Sequence, residues 1–461
     1  MEKWCVLAIV LSVFGFIKDF KPSDPFIVQF LNGPWHNIST DVINRDIFPV
    51  GTYSYGVQLV LTFLVTDYLR YKPLIVLSAL AGILHWSLFI WTNEIKWLQL
   101  SEVFYGTYKA ADIAFWSYIY ARVEKSHYQR ITCCTKSASF FGKFAAAIGS
   151  QALLFFGVVT FLDLNYASLA VQICTASIAL CLPPAPESIY FRKKQPSGDV
   201  INGKTDPKTN IVPTIPAVSH NLTVPELLWM HVKTAYSNFT ILRYSIWHAL
   251  SSCIYYQTQL YSQVLWNTID APVTIGVYWN GAVDALLTIS AAVIIFLAGF
   301  IPAKALQTHC TLAGLGWISF AQAGALLGVS CTRNLWVAYG GHILYSVLHS
   351  LAVTLLSAEI ARNISSDSFG LVLGINAAIS SMLQILVTVV VVDGAGLIHG
   401  SINVQFAIYS CWCAMIGILF WVFFLVELGQ WWKRPLLLLR NRVLFNMKQS
   451  KADDNGNVDV A

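Results

Sequence analysis

Charge is scarce in this sequence: Asp, Glu, Lys and Arg together make up 11% of 461 residues, against about 25% in an ordinary soluble domain. That deficit excludes a soluble globular chain. Catalytic signatures are missing too, with no phosphate-binding glycine loop, no nucleophile elbow and no helical zinc motif. Neither an enzyme nor a cofactor site is expected. The ten cysteines are scattered, mostly within apolar blocks and in pairs such as Cys133/Cys134 and Cys411/Cys413, without the spacing of a zinc site or a disulfide framework. They read as small core residues. The apolar start of the chain runs straight into KDFKPSDPF with no small-residue cleavage site, so it is expected to be a retained span and not a signal peptide.

What is present in quantity is apolar surface, at 56% of residues. Blocks of about 20 apolar residues recur along the whole chain, each long enough to cross about 30 Å of hydrocarbon as a helix. Lipid offers backbone groups no partners, so helices are the reading for blocks this long. Spans are expected at 5–31, 47–67, 73–92, 98–121, 131–157, 166–184, 237–264, 273–301, 310–331, 335–361, 369–393 and 403–428. The result is an all-α membrane protein of twelve transmembrane helices. Most connections are short, but 185–236 contains FRKKQPSGDVINGKTDPKTN, rich in Pro, Gly, Asn and Lys, and reads as a flexible solvated linker. The expected layout is therefore 1–184 and 237–428 as two six-helix halves, 185–236 as a linker and 429–461 as a polar tail.

Lys and Arg fix the expected orientation, because positively charged loops stay on the cytoplasmic side. With the N-terminus inside, the cytoplasmic segments hold twenty basic residues and the outer loops three, Arg45, Lys96 and Arg333. Both termini, the linker and the tail are then cytoplasmic. The net charge of +5 is mostly this asymmetry, and it does not signal nucleic-acid binding. Of four Asn-X-Ser/Thr triplets, at Asn37, Asn221, Asn238 and Asn363, only Asn37 falls in an outer loop where glycosylation occurs.

Several charges fall where lipid is expected. Lys18, Lys21, Lys109, Lys136, Lys143 and Arg243 lie inside the spans, as do Asp24, Glu102, Asp112, Asp284 and Glu359. A charge at mid-membrane costs at least about 2.5 to 3.5 kcal/mol, so each is expected to face a partner or a watered cavity. On the fourth span Glu102, Tyr105, Lys109 and Asp112 step by three, four and three residues, and Trp116 and Tyr120 continue the stripe. Lys109 and Asp112 are near enough along it to pair. Either they neutralise each other, or Asp112 faces a central cavity that takes a cation, a proton or a polar substrate.

In the first span Pro22 and Pro25 bracket Asp24 and are expected to break the helix, a pattern that marks transport sites. A simple kink with a satisfied Asp24 is the alternative. Lys143 lies deep in the fifth span among small residues, and Lys136 lies nearer its end, where it can snorkel. TDYLRYK at 66–72 places Asp67 and Arg70 in a very short inner loop, where they are expected to latch one conformation. The histidines form no ligand set, and no metal site is expected. Without a nucleotide site, uphill transport would have to draw on an ion gradient such as protons, an exchanged anion or the membrane potential.

Twelve spans in two halves, the long linker and TDYLRYK together resemble a major facilitator transporter. KPSDPFIVQFLNGP, INRDIFPVGTYSY, TDYLRYKP, EVFYGTYKAADIAFWSYIY and HYQR in the first half resemble the reduced folate carrier and thiamine transporter family, as do VYWNGAVDAL, LVLGIN and VVVVDGAGL in the second. The similarity covers about residues 10 to 425. It implies a plasma-membrane carrier of a B vitamin, either anionic folate or cationic thiamine. Folate carriers have arginine at the position of Asp112, an intramembrane lysine at that of Gln384 and an arginine at about Ser346. Thiamine transporters have an acid at the first and glutamine at the second, so the resemblance favours thiamine.

It further implies Asp24 and Asn280 as polar substrate contacts and Phe115 and Trp116 as aromatic walls. Three departures bear on this. Gly51 replaces a tryptophan, Phe115 replaces a tyrosine, and Lys109 and Lys143 add positive charge where thiamine transporters have none. Those lysines keep open a folate, phosphorylated thiamine or other organic-anion substrate. A receptor or sensor that keeps the fold without transporting is the remaining alternative.

Overall fold

A computed structural model describes all residues except 1–2, 67–68, 70, 113, 116–117, 119–127, 184–223, 270–277, 299–307, 364–365, 393–399 and 457–461. Among the described residues every regular element is helical. The first span is broken as its prolines dictate: α1 (Lys3–Asp19) ends, a tight turn Asp24–Phe26 follows, and α2 (Ile27–Asn32) resumes. After it come α3 (Phe48–Thr66), α4 (Lys72–Trp91), α5 (Ile95–Ala110), α6 (Tyr128–Phe155) and α7 (Phe161–Cys181). The second set is α8 (Val224–Tyr236), α9 (Phe239–Ile269), α10 (Asn280–Ala298), α11 (Thr308–Cys331), α12 (Leu335–Asn363), α13 (Ser366–Val387) and α14 (Ile402–Gly456). Each of the twelve expected spans holds a helix, and among the described residues seven helices are long and apolar enough to cross a membrane by length and composition.

Two segments differ from expectation. Residues 224–236, the end of the segment read as a linker, form α8, because the apolar residues of ELLWMHV recur on a helical period. The last span does not stop near 428 but continues as one helix to Gly456.

Packing repeats between the two sets. In the first, α1 packs on α6, α3 on α5, and α4 on both α5 and α7. In the second, α9 packs on α13, α10 on α12, and α11 on both α12 and α14. The first six and last six spans thus share one arrangement, and they meet through α10 on α6 and α13 on α3. Large apolar side chains such as Leu61, Phe141, Phe156 and Trp317 stay exposed on the outside, where lipid covers them.

Glycine sets the tightest approaches. A Cβ on Gly142 of α6 would collide with the backbone of Phe16 in α1, and one on Gly281 of α10 would sit 2.7 Å from the Ala147 carbonyl of α6. Backbones come this close only where a side chain is missing. Hydrogen bonds that join the two halves among the described residues cluster at one end, opposite the chain's N-terminus. They include Arg45 Nη2 to the Gly400 carbonyl at 3.1 Å, Asn267 Nδ2 to Thr40 Oγ1 at 3.1 Å and Gln151 Nε2 to the Tyr278 carbonyl at 2.8 Å. That end is closed.

Replacing Gly142 by Val should force α1 and α6 apart and cost about 1 to 3 kcal/mol. Thermal unfolding of the detergent-purified variant measures it, and a melting temperature equal to the parent's would contradict the close approach.

Candidate functional site

The break in the first span frees backbone groups that a continuous helix would have paired. Side chains from three other spans take them up. Ser168 of α7 receives the Ser23 N–H at 3.2 Å and shares a hydrogen bond with its hydroxyl at 2.7 Å. Gln263 of α9 donates to the Asp24 carbonyl at 2.8 Å and accepts from the Val28 N–H at 3.4 Å. Asn280 at the start of α10 donates to the Pro25 carbonyl at 3.1 Å and accepts from the Tyr339 hydroxyl at 2.8 Å. The buried Asn280 carboxamide thus joins the broken segment to α10 and α12.

Around this break sits a cluster of charges drawn from both halves. Lys18 Nζ lies 2.9 Å from Asp112 Oδ1 and 4.0 Å from Asp19 Oδ1. Lys21 Nζ lies 3.9 Å from Asp24 Oδ2 and 4.3 Å from the centre of the Tyr108 ring. Asp24 Oδ1 is buried without a hydrogen-bond partner. Lys109 is exposed, with Nζ 5.1 Å from the centre of the Tyr105 ring, and Tyr105 stacks on Tyr108. Lys143 is also exposed and stands within electrostatic reach of Asp19 and of Asp284 on α10. Among the described residues no carboxylate comes within ion-pair distance of Lys109 or Lys143.

Of the two alternatives for Asp112, neutralisation by Lys109 is not what the structure shows: the ion-pair partner of Asp112 is Lys18. Lys18 is 4% exposed whereas Lys109 reaches open space, and an unpaired ammonium costs most where it is buried. The carboxylate goes to the lysine that cannot reach water. Helical periodicity does not reveal this pairing, because it reports which residues share one helix face and not which helix lies opposite. The available signal was Lys18 itself, a lysine late in an apolar span. Arg243 follows the same rule in the second half, where its Nη1 donates to Glu427 Oε2 at 3.0 Å.

The other predicted residues fall as follows. Phe115 is buried with its ring 5.0 Å from that of Phe14. Gln384 is buried, and its carbonyl accepts from Gln257 Nε2 at 3.2 Å and from the Thr388 hydroxyl at 2.9 Å. Ser346 accepts from Gln259 Nε2 at 2.8 Å. A side chain at Gly51 would collide with the Glu102 carboxylate, so the space beside Gly51 already holds a buried acid. Asn37 is exposed on a loop. Asp67, Arg70 and Trp116 lie outside the described residues.

Two six-helix sets with matching internal packing and a broken first helix define a fold of the major facilitator type. Solved structures share this fold. The POT family transporter PepTSo superposes with a TM-score of 0.62 at 12% identity, over 93% of this chain and 99% of that one. A D-xylose-proton symporter gives 0.61 at 11% identity, over 91% and 98%.

Sequence relationship is more specific. The reduced folate carrier family model matches residues 2–408, and the chain belongs to that family. It is 31% identical to human (Homo sapiens) thiamine transporter 1 over 447 residues, covering 91% of this chain and 89% of the relative. It is also 31% identical to folate transporter 1 of Caenorhabditis elegans over 429 residues, covering 92% and 93%.

Asn280→Ala should remove both the donor for Pro25 and the acceptor for Tyr339, at a cost of about 1 to 3 kcal/mol. In a thermal-unfolding double-mutant cycle, Tyr339→Phe should add little on top of it. Fully additive losses would show that the two bonds do not share Asn280.

Proposed function

We propose that the chain carries a B vitamin across the plasma membrane by alternating access, with thiamine as the leading substrate and both termini in the cytoplasm. The observation that carries this is the cluster of acids and aromatic rings at the broken first span, in a family whose relatives include thiamine and folate transporters. With the N-terminus inside, the hydrogen-bonded end is the outer one. On this reading the two halves are held together at the outer end and rock about the contacts of α6 with α10 and α3 with α13. Asp112 and Asp24 serve as acidic groups near the substrate, Phe115 as apolar wall, and Asn280 and Gln384 as polar groups contributed by the second half. Asp67 and Arg70 form the inner-loop latch, and Asn37 carries glycan outside. The driving force is an ion gradient, with a proton or an exchanged anion as the coupled species.

A second reading, transport of folate, a phosphorylated vitamin or another organic anion, is favoured by one observation: Lys109 and Lys143 have accessible surface and, among the described residues, no carboxylate at pairing distance. Excess thiamine and excess folate as competitors of labelled uptake separate the two readings.

Asp112→Asn should lower thiamine uptake at least about tenfold at equal surface expression, because it also leaves the buried Lys18 with only Asp19, 4.0 Å away, as counter-charge. Cellular uptake of labelled thiamine measures this. Undiminished uptake in the variant would remove Asp112 from the mechanism.

A further inference from the structure

The Lys18 ammonium occupies the surroundings that a free organic cation would need. Asp112 lies 2.9 Å away and Asp19 4.0 Å away, and the ring centres of Phe115 and Tyr108 lie at 5.7 Å and 6.0 Å. An opposite charge in contact and aromatic faces within about 6 Å are the two elements of cation recognition. The span backbone is fixed at this level, because the Tyr108 hydroxyl donates to the Lys18 carbonyl at 3.3 Å. Asp112 keeps an accessible edge, its side chain being 31% exposed, while that of Lys18 is 5% exposed. A small cavity opens here between Phe14, Lys18, Ser78, Tyr108, Asp112 and Phe115.

A cation carried on the protein's own helix competes as a tethered ligand, at an effective concentration that dilute solutes do not match. Meanwhile the lysines of the cluster with accessible surface are Lys109, its Nζ 5.1 Å from the centre of the Tyr105 ring, and Lys143.

We propose that Lys18 is a built-in occupant of the cation subsite formed by Asp112, Tyr108 and Phe115, and that it sets the charge selectivity of the transporter. A purely cationic ligand must displace the Lys18 ammonium before it can reach Asp112. A ligand bearing a carboxylate or phosphate gains Lys109 or Lys143 without that displacement. The proposal deepens the vitamin-transport reading and rests on its placing Asp112 beside the substrate. Within the vitamin-transport reading it sides with the second, anionic substrate class: Lys18 disfavours a bare cation such as thiamine relative to a ligand with an added anionic group.

The test uses two probes that share a benzyl ring and differ in charge, benzyltrimethylammonium and benzyl phosphate. Each is titrated against thermal unfolding of the full-length protein purified in detergent. Wild type should be stabilised by benzyl phosphate at the lower concentration. In Lys18→Ala the ratio of half-saturating concentrations should move at least about tenfold towards the cation, since one unit charge has left the side of Asp112. Adding Asp112→Asn to Lys18→Ala should abolish that move. Lys18→Gln, which keeps length and polarity without charge, serves where Lys18→Ala does not fold.

A ratio that stays within about twofold of wild type in the Lys18 variants overturns the proposal. Lower stability with an unchanged ratio is what a purely structural ion pair produces, and it overturns the proposal too, as does absence of stabilisation by both probes in every variant. Vitamin uptake by the same variants is scored separately. A charge shift without any vitamin uptake would retain the assignment of Lys18 and remove the vitamin.

Discussion

Prolines at 22 and 25 leave the backbone of the first span without helical partners in the middle of a membrane protein, where each unpaired N–H or C=O costs several kcal/mol. The chain answers with side chains from other spans: Ser168 from within the first half, Gln263 and Asn280 from the second. The two cross-half bonds are the consequential ones. Because the freed carbonyls of Asp24 and Pro25 are satisfied by the opposite half, the local break also becomes a clasp between halves. Asp24, Lys21 and Lys18 are carried on or beside this segment, so the geometry of the charge cluster and a contact between the halves depend on the same few hydrogen bonds.

Electrostatics then decides which charge goes where. Each intramembrane ammonium needs a carboxylate, a ring face or water. Lys18 is buried and takes Asp112. Lys21 is buried and takes Asp24 together with the Tyr108 ring. Lys109 lies over Tyr105 and needs no carboxylate, because it can be solvated. The cluster is mostly a property of the first half. Near it the second half contributes neutral hydrogen-bonding groups, Gln263, Asn280 and Tyr339, with Asp284 as its acid.

What could be read from the sequence follows from the range of the underlying physics. Span positions depend on local hydropathy, and the break at Pro22 and Pro25 on local stereochemistry, so both were legible. The stripe on the fourth span was legible as a face, since Glu102, Tyr105 and Lys109 obey one helix's period. The partner of Asp112 was not, because Lys18 stands 94 residues earlier on another helix and no period relates the two. The same holds for Asn280 and Pro25, separated by 255 residues. Resemblance to relatives marked Asn280 as important but not its part in pairing the broken segment. Gly51, which reads as a gap in a pocket wall, is beside a buried Glu102, a complementarity visible only once α3 and α5 are packed together.

The crossing of α6 and α10 connects these observations. Gly281 lets α10 approach the Ala147 carbonyl, and the Gln151 side chain completes the joint by accepting from the Ala282 N–H at 3.1 Å. Lys143 lies one turn from Ala147 and Asp284 one turn from Gly281, so the same crossing brings opposite charges of the two halves within electrostatic reach. Asn280, one turn from Asp284, holds the Pro25 carbonyl beside them. In the alternating-access cycle proposed above, a motion that parts α6 from α10 would separate Lys143 from Asp284 and loosen the grip of Asn280 on the broken span. In that proposed cycle the contact between the halves and the charge environment of the site are linked through four residues of α10, Asn280, Gly281, Ala282 and Asp284.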